Sequence, residues 1–98
     1  MRYLYIMQME KTGAIKVGIS KNPERRVKQL QTGCPYEIKI ILKLKGKSYL
    51  EVGLHKSLSK EKTTIKNKEW FSFKSLGLLP DWITEMLDLE DVNTWWEK

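Results

Sequence analysis

The sequence predicts an α/β (α+β) domain built on a small three-stranded sheet, mixed or antiparallel, that starts with a β-hairpin and is flanked by helices. One more helix is expected at the C-terminal end. Three observations carry this reading. Two apolar, aromatic-rich stretches open the chain with a Gly-bearing turn between them. A later stretch alternates apolar and polar residues with a period of two, as a strand with one buried face does. The segments between and after these begin and end with helix signals. At 98 residues, 41% hydrophobic and 10% aromatic, the chain is one domain's worth with a modest core.

The first strand is expected over 2–9 and the second over 14–19, joined by Glu10-Lys11-Thr12-Gly13. A helix follows. Asn22 suits its N-cap, Pro23 its first turn, Glu24 the positive end of its dipole and Gly33 its stop, with Val27 and Leu30 facing inward. The third strand is expected over 37–44, where Ile38, Ile40, Leu42 and Leu44 alternate with Lys39, Ile41 and Lys43. Ser48 and Glu51 form a capping box for a helix over 48–59, whose stripe is Leu50, Leu54 and Leu58. Residues 60–68 read as a basic loop or irregular strand, and 69–73 as a short aromatic strand in which Trp70, Phe71 and Phe73 serve the core. Pro80 opens the last helix, 81–90, with Trp82, Ile83, Met86 and Leu87 on one side.

The charge is unevenly divided. The chain as a whole carries +6. Residues 1–68 hold 16 basic and 5 acidic side chains, net +11, whereas 69–98 hold 2 and 7, net −5. A basic body points to a polyanion, and an acidic Trp-rich tail to something else. The tail either packs as a helix or lies across the basic surface, and it leaves open a homodimer or a protein partner. No apolar run reaches the ~20 residues of a membrane span, and the first residues lack the apolar core of a signal peptide. Cys34, the single cysteine, excludes an internal disulfide, and with one His it cannot build an ordinary zinc site. A reducing cytoplasm is the expected compartment.

Several of these residues stand in a recognisable order. Tyr3-Leu4-Tyr5-Ile6, then Lys16-Val17-Gly18, then Asn22-Pro23-Glu24-Arg25-Arg26, with Glu51 to His55 and Glu69-Trp70-Phe71 further on, resemble the GIY-YIG nuclease superfamily. The branch it looks like is one of small phage and bacterial members with Lys in the second motif. The resemblance covers about residues 2–73. It divides the chain into a nuclease-like domain, 1–74, and a helical extension, 75–98, packed on it. Two positions depart from the pattern: Tyr3 stands for the glycine of the first motif, and Leu30 where some members have a histidine.

The resemblance implies a metal-dependent DNA endonuclease, a phosphodiester hydrolase of low intrinsic sequence specificity. Tyr5 would be the base, Arg26 would hold the phosphate, and Glu51 would bind one Mg²⁺ or Mn²⁺, with Glu69 as the fallback ligand. Free tyrosine titrates near ~10, so a neighbouring ammonium, Lys16, would favour the phenolate if hairpin pairing brings the two together. His55 lies one turn after Glu51 and would support the site. Lys21, Arg25, Lys28 and Lys56 are candidate DNA contacts. Each residue also has a plain structural use: packing for Tyr5, edge protection for Lys16, a solvated surface for Arg26, and capping for Glu51. Two other functions stay in view: a catalytically silent DNA-binding module, and a small interaction or inhibitor protein working through its acidic tail.

Overall fold

Strands β1 (Tyr3–Met9) and β2 (Ile15–Ser20) form the expected hairpin. The computed structural model describes residues 2–58, 64–65, 70–87 and 89–97. The hairpin register pairs Tyr5 with Gly18 and Met7 with Lys16. Its turn closes through the Met9 N–H to the Ala14 carbonyl at 2.9 Å and the Gly13 N–H to the Met9 carbonyl at 3.0 Å. Gly13 takes a φ of 70° there, which glycine adopts without strain.

Strand β3 (Ile38–Lys45) pairs with the other side of β1. Two short strands, β4 (Thr64–Ile65) and β5 (Trp70–Phe71), extend the sheet beyond β2, giving the order β3-β1-β2-β5-β4 with every pairing antiparallel. The expected three strands are thus the long ones of five: β5 falls within the aromatic strand read over 69–73, and β4 within the stretch 60–68 read as a loop or irregular strand.

β3 does not bury a single face. Ile6 pairs with Leu42 but Met7 pairs with Ile40, so Ile41 is an extra residue and the register shifts. Such a bulge moves the following side chains to the other face. Ile38 and Ile40 therefore pack on one side, and Leu42 and Leu44 on the other. Lys43 consequently shares the face of its partner Tyr5.

Helix α1 (Pro23–Gln31) starts as read: the Asn22 side chain accepts the Arg25 N–H at 3.1 Å and Pro23 holds the first turn. Val27 and Leu30 press onto Tyr5, Met7, Met9, Ile38 and Trp70. On the opposite face, Leu4, Ile6, Ile15, Val17 and Leu42 meet Leu54 and Leu58 of helix α2 (Glu51–Leu58). Leu76, Leu79, Ile83, Leu87 and Val92 from the acidic third complete that second layer.

Two expected details are corrected. Ser48 does not cap α2: it lies in a 3₁₀ turn (Ser48–Leu50), and the Glu51 N–H bonds to the Ser48 carbonyl rather than to its hydroxyl. The last helix is two short ones, α3 (Asp81–Thr84) and α4 (Leu89–Thr94). Only Ile83 and Leu87 of its four expected core residues are buried, with Trp82 and Met86 exposed. Helix α3 ends at Thr84, so Leu87 is buried from the bend between α3 and α4.

The end of the chain secures the hairpin. Trp95 Nε1 donates to Gln8 Oε1 at 2.6 Å, and Gln8 Nε2 donates to the Gly13 carbonyl at 3.1 Å, which settles a fully buried amide. The Trp96 carbonyl accepts the Lys11 N–H at 2.6 Å, and its ring sits against Gly13, where a Cβ would come within 2.7 Å of it. Lys39 lies over the Trp95 ring at 5.2 Å. The acidic region thus packs on the sheet face opposite α1.

Candidate active site

The site grows from Gly18. Its partner Tyr5 reaches across the hairpin, and a Cβ at position 18 would collide with the Tyr5 hydroxyl. Glycine is needed so that the phenol oxygen can lie over the β2 backbone. Tyr5 is 2% exposed. The hairpin turn is centred where the sequence places it, but the register sets Lys16 opposite Met7, one diagonal step from Tyr5 on the same face. Lys16 is itself nearly buried, with its ammonium 5.9 Å from the Trp70 ring centre.

The orientation of α1 follows from its contacts with β3. Glu24 Oε1 accepts from Lys43 Nζ at 2.6 Å, and Gln31 Oε1 accepts the Ile38 N–H at 2.9 Å. With ~3.6 residues per turn, Glu24 and Gln31 lie on one flank of the buried stripe and Arg26 on the other. The Arg26 flank therefore faces the β2 side, where the Tyr5 oxygen lies. Arg26 is half-buried and its Nη1 donates to Gln29 at 3.3 Å.

Helix α2 reaches β2 from the other face. Among the described residues β5 pairs with β2 at Ile15, and the Val17 carbonyl turns to α2. His55 Nε2 stands 2.7 Å from the Val17 carbonyl, and since that oxygen can only accept, the imidazole donates. Its ring meets Phe71 edge-on at 6.0 Å. His55 thereby fixes α2 to the sheet edge. The chain enters α2 from the Ser20 end of the sheet, because Lys45 and Ser20 both pair with Tyr3 and the Gly46 N–H donates to the Arg2 carbonyl at 3.1 Å. Glu51 stands one turn before His55 on the same helix, which packs on the sheet face opposite Tyr5. It is half-buried, and with no side-chain cap at Ser48 its carboxylate is not committed to that role.

Tyr5, Gly18 and Lys16 thus share the face that α1 covers, with Arg26 on the flank of α1 away from β3, whereas Glu51 and His55 belong to α2 on the opposite face. Lys21, Arg25, Lys28 and Lys56 are all exposed, but the helices bearing Arg25, Lys28 and Lys56 pack on opposite sheet faces. Glu69 lies outside the described residues. Lys43 was legible only as one of many lysines, and the bulge is what carries it to Tyr3, whose ring it covers at 5.3 Å, and to Glu24. The hydrogen bond from Lys43 lowers the Glu24 pKa, and the same bond raises that of Lys43.

Among the described residues no three His, Cys, Asp or Glu side chains cluster as a metal cage. A single carboxylate on the first turn of a helix suits a hard ion that keeps most of its waters, as Mg²⁺ does. Glu51 has the right chemistry for that.

The chain matches the T5orf172 domain over residues 2–97. It belongs to that family. T5orf172 domains occur in phage and bacterial proteins related to nuclease-like families, and membership is compatible with a nuclease-like or DNA-binding role. The match runs through the acidic C-terminal region of this T5orf172 domain as well as its basic body. No curated protein and no solved structure matches the chain. No helix among the described residues is long and apolar enough to cross a membrane.

Proposed function

We propose that this T5orf172 domain is a DNA endonuclease of GIY-YIG type that hydrolyses phosphodiesters with low intrinsic sequence specificity. The observation that carries the reading is the Tyr5 oxygen over Gly18, on the sheet face that α1, the helix of Arg26, covers. Arg26 holds the non-bridging oxygens of the phosphate in its planar fork and meets the charge that grows there. Tyr5 takes the proton from the attacking water, with Lys16 on the same face to favour the phenolate. Glu51 would hold one Mg²⁺ or Mn²⁺, whose chemistry is to neutralise the leaving oxyanion. His55 acts by anchoring α2, so it sets where Glu51 stands. The exposed lysines and Arg25 supply sequence-independent attraction to DNA, and binding that engages ~6 phosphates falls steeply with salt.

A second reading has its own support. Tyr5 is 2% exposed, which leaves little of the phenol for water, and a silent DNA-binding module would show that burial too. Nicking of supercoiled plasmid in Mg²⁺ or Mn²⁺ separates the two. The endonuclease reading expects cleavage that falls about 100-fold or more in Arg26→Ala and in Glu51→Ala. Salt-sensitive binding with no cleavage selects the silent module, and no binding at low salt removes both.

A further inference from the structure

Beyond the Tyr5 end of the α1 face lies a cavity of about 130 Å³. Met9 and Ala14 line it from the sheet, Trp70 and Tyr36 supply aromatic surface, and Cys34 and Thr12 complete most of its wall. It meets solvent beside Tyr36, which is 37% exposed. Along β2 and the turn before it, Gly18, Lys16 and Ala14 follow one another on the same face. The cavity therefore sits about 14 Å from Gly18, four residues at ~3.4 Å each. Lys16 lies between, with its ammonium over the same Trp70 ring.

We infer that this cavity binds one unpaired pyrimidine base of a DNA strand whose phosphate is held at the Tyr5–Arg26 end. The inference deepens the phosphodiester reading above and rests on it. Size sets a limit: a closed apolar cavity of about 150 Å³ holds one benzene molecule, so this smaller one, open beside Tyr36, admits at most one six-membered ring and excludes the fused pair of a purine. The wall is apolar apart from Thr12 and Tyr36, and the Thr12 hydroxyl already accepts the Ala14 N–H at 3.2 Å. The base enters with its apolar C5–C6 edge inward and its hydrogen-bonding edge at the open mouth, and thymine, with a methyl group on that inner edge, suits the wall better than cytosine. Aromatic walls hold bases by stacking whatever the sequence around them. Charge complements shape in part, because the Lys16 ammonium lies over the Trp70 ring that walls the cavity, and Met9, Thr12, Ala14, Cys34 and Tyr36 belong to the +11 segment. A base can enter only when it is unstacked from a duplex. The preferred substrate is then a flap, an overhang or a melted stretch with a pyrimidine near the bond to be cut.

Cys34 makes this testable in the full chain, since it is the single cysteine and lines the cavity. Its rate of alkylation by N-ethylmaleimide is measured without divalent ion, in the presence of a short oligothymidylate, an oligoadenylate, an abasic strand of equal length, or the thymidylate strand in duplex. Fluorescence anisotropy at low salt establishes saturation in each case. Oligothymidylate should slow alkylation about tenfold, and the other three less than about twofold. Tyr36→Ala, at a part-exposed wall, should weaken oligothymidylate binding about fivefold and leave duplex binding unchanged. Equal protection by the abasic strand, or none from strands that all bind, overturns the pocket and leaves the nuclease reading standing. Protection that needs the base, in a protein that never nicks plasmid, upholds the pocket and removes the chemistry instead. Failure of every strand to bind overturns both.

Discussion

The two faces of the sheet differ both in how much apolar side chain they bury and in what interrupts it. Under α2 and the C-terminal third, Leu4, Ile6, Ile15 and Val17 meet Leu54, Leu58, Ile83, Leu87 and Val92, and the fully buried amide of Gln8 is satisfied by Gly13 and Trp95. Under α1, the layer of Tyr5, Met7, Met9, Ile38 and Trp70 is broken by Lys16, by the ion pair of Glu24 with Lys43, by the bare backbone of Gly18 and by an open cavity. Charges and voids at the edge of a core cost stability. The face that tolerates them is where chemistry is to be sought, and the other face supports it.

The largest effect should come from the supporting face. Ile83 is fully buried among residues of both the sheet and the acidic third, so Ile83→Ala should cost about 2–5 kcal/mol, measured by urea unfolding. A cost near zero would mean that the C-terminal third is dispensable and the two-layer account is wrong. Gly18→Ala acts on the other face. Its Cβ must displace the Tyr5 phenol, so a cost of about 1–3 kcal/mol is expected together with a loss of nicking larger than the fraction unfolded explains. Unchanged nicking in Gly18→Ala would show that the Tyr5 position is irrelevant to cleavage.

How far this contrast was legible in the sequence depends on what carried the signal. Asn22, Pro23 and Gly33 announce α1 because capping is local chemistry, and the hairpin follows from a turn whose centre two apolar flanks define. β3 was legible as a strand but not as a bulged one, since Ile41 keeps an apparent alternation running while the register slips beneath it. That slip decides whether Lys43 meets Tyr5 and Glu24 or water. Ser48 and Glu51 match a capping box by spacing, yet the chain tightens into a 3₁₀ turn there and leaves the box unmade. Tyr5, Arg26 and Glu51 were picked out through motif order alone, because where Arg26 and Glu51 stand depends on how α1 and α2 pack on the sheet. The contact of Trp95 with Gln8 joins residues 87 apart, and no local pattern foretells it.

The smallest predicted effect concerns pH. Lowering of the Glu24 pKa means that its contribution is fully present above its ordinary value of 4.5 and is lost as pH falls through the lowered value. The raised Lys43 contributes fully below 10.5 and loses that contribution as pH rises through the raised value. Both side chains are half-exposed, so the gain is slight and screened by salt. Thermal unfolding of Glu24→Gln should show a small deficit between those two values that closes toward strong acid. A deficit that instead widens in acid would mean that the pair does not fix α1 against β3.

The central claim is that DNA meets the α1 face at the end of β2 and not the face sealed by the C-terminal third. Backbone amide shifts of the isotopically labelled protein, titrated with a short oligothymidylate without divalent ion, test it most directly. The account predicts the large shifts at Lys16, at residues 18–22, at Arg26 and around Cys34 and Tyr36. Shifts concentrated instead at Trp82, Met86 and Trp95, with the β2 end unmoved, would contradict it.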